Sequence, residues 1–440
     1  MRCLRRLGPQ AAALAMLAPR GASAEEPIIA GEPVLMREPG EVVDVADAVD
    51  DPDPFDIEIV LSYRLDVERA KLVRGDGASA VDLATVSSLT SRLVPELRVG
   101  AFRDVAVVLR LPIILSQTRD LAATGDAKVG SVDAAGETLF SLPLRSPERS
   151  GIEHLSFGVD VGILNQARSP HLPSLTAGVE GFVSVGPTLL ACNDVPVEGQ
   201  VKCASPGDVD RDGAIDDDEP DGGPEADPGI TRGTAGLRLR ATLSRRVLYV
   251  EPFGTLRATL EFPLAGSPLA ASGAGPSLLP VRAEAEVGVG FIPWENRERW
   301  SRVWLDARVL GGVATRGRDY SPLFDALGSS SAPSLRAPIE AGGARGYESG
   351  VTVVGARGSL GGAGSFVWRA SQLIRLGLET ALRHEFEHTV TDDEPCAEDA
   401  PGCDPPTNRD YRAVLDEPSG RMKMTSSLLF QIGVSGAVLF

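Results

Sequence analysis

Long apolar runs are what this chain most plainly lacks. Apart from Ala11 to Ala18 near the N-terminus, no stretch approaches the roughly 20 consecutive apolar residues of a spanning helix, so any insertion into a bilayer must use strands. Basic residues are in the minority, with 43 Lys and Arg against 61 Asp and Glu and a net charge of -18, which argues against nucleic acid as a partner. Aromatic residues are scarce at 5%. Cysteine is sparse too, and Cys3 belongs to a segment expected to be removed. The other four form two close pairs, Cys192 with Cys203 and Cys396 with Cys403, each in a Pro/Gly/Asp-rich stretch. In an oxidising compartment this spacing predicts two local disulfides, the alternative being four free thiols. No metal-ligand cluster surrounds them.

The N-terminus reads as an export signal over residues 1–24. Arg2, Arg5 and Arg6 precede the apolar run, and Ala22-Ser23-Ala24 supplies the small residues of a cleavage site. No Cys follows the cut, so no lipoprotein anchor is expected. Residues 25–54 are rich in Glu, Asp and Pro, with Arg37 as the lone basic residue, too poor in apolar content to pack alone and predicted to be a flexible lead-in.

What the chain has instead is two-residue alternation. Phe55, Ile57, Ile59, Leu61, Tyr63, Leu65 and Val67 share one face of a strand, while Asp56, Glu58, Ser62, Arg64, Asp66 and Glu68 share the other. Val105, Val107, Leu109, Leu111, Ile113 and Leu115 repeat the pattern. So do Leu428, Phe430, Ile432, Val434, Val438 and Phe440 in the last strand. About twelve strands are predicted, starting near Phe55, Arg92, Asp104, Gly151, Leu172, Arg232, Val247, Val281, Trp300, Tyr347, Ser371 and Met424. Their connections alternate in length. The links at 102–104 and 244–246, with the fourth-to-fifth and eighth-to-ninth, are short; those at 71–91, 117–150, 187–231, 265–280, 317–346 and 389–421 are long. A soluble domain has no reason to gather every long loop at one end. A transmembrane, antiparallel, up-and-down β-barrel over 55–440 does, with short periplasmic turns, long external loops and both termini in the periplasm. Closure removes the unpaired edge that hydrocarbon cannot solvate.

On this all-β model the apolar faces meet lipid. Arg98, Arg110, Arg238, Arg240, Glu251, Arg257, Arg282, Glu284, Glu286, Asp306, Arg308, Arg375, Glu379 and Arg383 then line the lumen. Twelve strands enclose less space than the 16 to 18 of an aqueous porin. Mixed charge in a narrow bore points to passage of small solutes or a plugged lumen; the alternative is that these charges merely satisfy one another. Phe102, Phe291, Trp294 and Trp300 fall at short turns, where an aromatic girdle belongs.

Two motifs suggest metals. Asp208 to Glu219 in the third long loop matches the calcium-loop pattern, with Asp208, Asp210, Asp212, the Ala214 carbonyl, Asp216 and Glu219 as the oxygen set and Gly213 at the sharp turn. No helical pattern flanks it, and a solvated acidic loop is the alternative. His384-Glu385-Phe386-Glu387-His388 fits HExxH, whose zinc chemistry needs both His on one helical face and Glu385 as general base. Yet Ile374, Leu376, Leu378, Leu382 and Phe386 alternate with Arg375, Glu379, Arg383, Glu385 and Glu387. In a strand the two His still share a face but lie about 13 Å apart, too far for one ion. No catalytic role is therefore predicted, and a zinc metallohydrolase stays as the alternative.

Ending such a strand at Phe440 resembles the C-terminal signal of Gram-negative outer-membrane barrels. That likeness implies outer-membrane lipid and the barrel-assembly machinery as partners. The stretch Glu96 to Pro112, an Arg-containing strand, a Gly, a short charged turn and a strand reaching Leu111-Pro112, resembles the hairpin of the outer-membrane family named for the MetA pathway of phenol degradation. Ser150 to Leu164 is similar to its next strand, with Gly151 and Gly158 in place but Glu153-His154 where a Gly-Asp step is expected, and no later Pro-Thr-Gly box follows. The resemblance implies a channel or transporter for small, hydrophobic or aromatic solutes. A non-conducting surface or adhesion barrel is the other reading.

Overall fold

Alternate residues with opposite polarity make a ribbon that needs oil on one side and charge partners on the other, and twelve such ribbons pair in this chain. The computed structural model describes residues 57–75, 80–102, 104–125, 136–166, 169, 171–192, 202–203, 225–270, 279–296, 299, 301–330, 332–335, 350–371, 373–396, 408 and 410–440. The barrel strands are β1 (Ile57–Arg74), β2 (Val81–Phe102), β3 (Val105–Arg110, resumed as Ile113–Ala123), β4 (Arg149–Ile152, resumed as His154–Leu164), β5 (Ser174–Ser184) and β6 (Thr234–Ser244), followed by β7 (Val250–Pro263), β8 (Arg282–Asn296), β9 (Ser301–Ala314), β10 (Arg357–Arg369), β11 (Ile374–Glu385) and β12 (Met422–Leu439).

Each strand runs antiparallel to its predecessor, and β1 closes the ring on β12 from Glu58↔Leu439 to Arg74↔Met422. The seam ends in a reciprocal pair of bonds: Ile57 N donates to Phe440 O at 3.2 Å, and Phe440 N donates to Ile57 O at 2.8 Å. Twelve strands about 4.8 Å apart and tilted by roughly 40° enclose a bore roughly 24 Å across between opposite backbones. Ile57, Ile59, Leu61, Leu305, Val309, Val313, Leu376, Leu378, Phe430 and Val434 are all exposed on the outside. In water this surface would be an aggregation site; in a bilayer it is the lipid contact.

The breaks in β3 and β4 face each other. Pro112 has no N–H for the ladder, and Glu153 N donates to its carbonyl at 3.0 Å across the gap. Three expected boundaries move. The second strand starts at Val81, not near Arg92: residues 81–91 pair with β1 and, from Ala84, with β3, so the link after β1 is short. Its Ser and Thr residues complete the backbone ladder as well as apolar ones do, while giving no hydrophobic alternation. The tenth begins at Arg357, and Tyr347 lies outside the described residues. The third strand likewise runs past Gln117 to Ala123. Five long links remain, after β3, β5, β7, β9 and β11, at one end of the barrel.

Where β1, β2, β3 and β12 extend toward that end, their inward face turns apolar. Ala70, Leu72, Ala84, Val86, Leu121, Met422 and Met424 form one buried cluster with loop residues Leu139, Phe140, Leu323, Leu327, Leu335, Val390 and Leu415. The loops thus fold onto the strand interior. Among them are a fully buried short helix, α1 (Phe324–Gly328), a turn of helix, α2 (Ala413–Asp416), and a hairpin pairing Gly317–Asp319 with Thr352–Val354.

Candidate functional site in the lumen

The side chains opposite the lipid-facing set carry the charge. Arg375 on β11 pairs with Glu58 on β1, Glu58 with Arg98 on β2 at 3.2 Å, Arg98 with Glu96, Glu96 with Arg110 on β3, Arg110 with Glu180 on β5, and Glu180 with Arg238 on β6 at 2.8 Å. On the other wall, Arg257 on β7 pairs with Glu286 on β8, and Arg308 on β9 lies 3.8 Å from Glu286, 3.6 Å from Asp306 and against Glu379 on β11. Arg240 meets Asp160 at 2.7 Å, and Arg383 meets Glu284 at 2.7 Å. Arg282 reaches Glu261 and Asp319, both at 3.0 Å, and buried Glu251 accepts from Ser244 Oγ at 2.6 Å. Pairs that skip a strand, such as Arg110 with Glu180 or Arg383 with Glu284, can meet only on the inner face of a closed barrel.

Those long reaches depend on small residues beneath them. Between Arg110 and Glu180 lies Gly158 of β4, where a Cβ would stand 3.1 Å from Glu180 Cβ. Between Arg240 and Asp160 lies Gly178 of β5, where a Cβ would collide with the Asp160 carboxylate. The Arg383–Glu284 pair passes over β9 and β10, above Gly312, whose Cβ would come 3.8 Å from Arg383 Nη1. Glu58, Glu96, Asp160 and Glu180, absent from the predicted lumen set, sit at inward positions of the same alternation and anchor five of its arginines, Arg98, Arg110, Arg238, Arg240 and Arg375. Period-2 counting extended to every strand would have found them.

Two cavities meet at Arg282 and Glu284, and Arg383 lines the smaller of them. One, of about 470 Å3, is walled by residues of β2 to β8; the other, of about 240 Å3, by β1 and β8 to β12. Both include Arg282 and Glu284 in their walls. Toward the short turns Trp304, Phe253 and Ile292 pack into a buried cluster on β7 to β9, with Arg302 and Arg369 almost wholly buried. Gly290 makes room for the Trp304 ring, since a Cβ there would fall inside the indole.

The long-loop end is stitched by a pair that no periodicity reveals. Arg149, at the start of β4, donates from Nη2 to Asp325 Oδ1 at 2.6 Å and from Nη1 to Oδ2 at 3.2 Å, and also donates to the carbonyls of Pro228 and Leu190 at 3.2 and 3.3 Å. One buried guanidinium therefore ties α1 and two loops to the barrel. A second knot forms at Asp319, which accepts from Arg232 at 2.7 Å, Arg282 at 3.0 Å and Arg357 at 3.4 Å. Burial alone would raise the Asp319 carboxyl, but the Arg232, Arg282 and Arg357 guanidiniums outweigh it and hold the group below its ordinary 3.8.

The HExxH stretch does not make the helix that its zinc chemistry needs. His384 and Glu385 end β11, extended against Ser359 and Leu360 of β10. The strand then breaks at Phe386-Glu387, so the two histidines do not share a face: His384 is exposed beside Phe386, with ring centroids 5.6 Å apart, while His388 is buried, its Nδ1 3.0 Å from Phe386 O. The Asp208 to Glu219 motif lies outside the described residues, as do residues 1–54. Cys192 and Cys203 are disulfide-bonded with Cα atoms 5.0 Å apart; Cys396 is also disulfide-bonded, and Cys403 lies outside the described residues. Phe102, Phe291 and Trp294 are exposed near the short turns, and Trp300 is outside the described set.

Removing one member of a buried pair leaves an uncompensated charge, at about 3–5 kcal/mol. Asp325→Ala should therefore loosen the loop layer and expose it to protease, whereas Arg149→Leu with Asp325→Leu together should cost far less; equal sensitivity of both would refute the stitch. Because the Asp319 carboxyl is depressed, its stabilising contribution is complete above 3.8 and is lost as pH falls through the lower folded value. Pepsin digestion at stepped pH should show loop cleavage rising below that point in the parent protein. Asp319→Asn should raise cleavage already at higher pH and flatten the dependence.

No protein-family model and no curated protein matches the chain. Among solved structures, an outer membrane channel from Pseudomonas putida F1 aligns with a TM-score of 0.40 at 10% identity, over 92% of this chain and 99% of that one. A mutant of the TodX monoaromatic hydrocarbon channel aligns at 0.34 and 8%, over 88% and 91%. The outer membrane protease OmpT from Escherichia coli aligns at 0.27 and 8%, over 88% and 97%. These likenesses span channels and a protease, and none assigns an activity. The strand pairing and the apolar exterior of the chain itself are those of a closed, twelve-strand β-barrel of the outer-membrane type.

Proposed function

We propose that the protein is an outer-membrane channel passing small solutes through a narrow interior interrupted by ion pairs. The observation that carries this reading is the pair of cavities that share Arg282 and Glu284, the latter held by Arg383, within a bore whose walls offer guanidinium and carboxylate groups. Such walls favour polar over hydrophobic cargo, because a hydrophobic solute would strip water from charges without replacing their bonds. The long-loop end faces outward and both termini lie in the periplasm, in keeping with the usual placement of short turns. Assembly by the barrel machinery, guided by Phe440, belongs to the same reading. A non-conducting surface barrel is the second reading, favoured by the packed Trp304 end and the buried loop cluster.

Planar-bilayer recordings of refolded protein separate the two. Small unitary steps are expected, and Arg383→Ala should enlarge them several-fold by widening the smaller cavity and releasing Glu284, which both cavities share. Silence from both the parent protein and Arg383→Ala would sink the channel reading. Calcium binding by Asp208 to Glu219 is a further part of the proposal, supported by the motif and by the Cys192–Cys203 bridge at the base of its loop. Calorimetric titration with Ca2+ should give heat that Asp208→Ala removes; identical traces would discard the site.

A further inference from the structure

The larger cavity presents cations to its void and keeps most of its anions behind them. Arg240 of β6 and Arg257 of β7 stand directly opposite in register on the inner face and both border the cavity. Like charges so placed repel, and the spacing of cross-strand partners leaves their Cβ atoms only about 5 Å apart. Their carboxylates draw the two heads in opposite directions: Arg240 Nη2 donates to Asp160 Oδ2 at 2.7 Å on β4, and Arg257 donates to Glu286 on β8. The Arg240 and Arg257 side chains remain 30% and 44% exposed, against 13% for Asp160 and 10% for Glu286. Neighbouring carboxylates are shared as well, since Glu180 accepts from both Arg110 and Arg238, and Glu96 from both Arg98 and Arg110. Glu284 is the exception, 37% exposed, and it is held by Arg383.

We propose that this cavity is a binding site for a small organic carboxylate, received between Arg240 and Arg257. Two splayed guanidinium forks with unused N–H edges match the two oxygens of a carboxylate, which would also relieve the repulsion between them. The volume of about 470 Å3 suits a small molecule rather than a lone inorganic ion. Small inward residues keep the void open: Gly178 lies beside Arg240, 3.7 Å from its Nε at the Cβ position, and Gly158 lines the cavity from the neighbouring strand β4. A neutral analogue brings no charge to the two guanidiniums, which keep only Asp160 and Glu286, and gains little. As cargo, this carboxylate rests on the channel reading; as a binding site it does not.

Calorimetry on detergent-refolded protein, folded state checked by heat-shifted gel mobility, tests the site with succinate, 1,4-butanediol and inorganic phosphate. Succinate should bind, butanediol should not, and Arg240→Gln and Arg257→Gln should each weaken succinate at least tenfold. Arg240→Lys, which keeps the charge but loses the fork, should fall between, and it serves if a Gln variant fails to fold. No heat with succinate, equal binding of the diol, phosphate binding without succinate, or unchanged affinity in the variants would each overturn the proposal. Succinate binding in a protein silent in bilayers would sink the channel reading and leave this site standing.

Discussion

Confinement governs this molecule: a closed ring of twelve strands has one inner face, and every long side chain on it must fit a bore roughly 24 Å wide. Long arginines therefore alternate with strands that offer little more than hydrogen or a methyl group. Gly158 on β4, Gly178 on β5 and Gly312 on β9 lie under the paths of Arg110, Arg240 and Arg383. The same confinement makes unpaired charge costly, because a guanidinium held away from bulk water keeps its charge only with a partner nearby. Ion pairs across one or two intervening strands follow from these two demands together.

The two ends of the barrel carry different buried clusters. Toward the short turns a cluster of Trp304, Phe253 and Ile292 closes on itself within the strands. At the other end, β1, β2 and β12 run 18, 22 and 18 residues, well beyond the 9–11 that cross a bilayer, so the extension must be stabilised without lipid. It is, by an apolar inward face that the loops cover. Arg149 and Asp325 then hold that covering in register with the barrel, and the convergence of three arginines on Asp319 does the same beneath the hairpin at 317–319. Between these two clusters the interior keeps its free volume, which is where a solute site can exist.

Much of this was legible without coordinates. Alternation at Ile57, Ile59 and Leu61 or at Leu376 and Leu378 is a property of neighbouring residues, so the faces of β1 and β11 could be read directly. The extended course of His384 and Glu385 could be read in the same way. Residues 81–91 were missed because Ser and Thr serve a ladder without announcing it. The shared face expected for His384 and His388 failed at a local break in the strand at Phe386-Glu387, which the alternation does not mark.

Sequence alone determined the strand class, the count of about twelve and which residues turn toward oil, since these depend on period 2 and on strand length. Only the tertiary structure decided that Arg383 meets Glu284, that Arg240 stands opposite Arg257, and that Asp325 arrives beside Arg149 from 176 positions away. Partner choice depends on register and ring closure, which bring together residues whose separation along the chain carries no periodic signal.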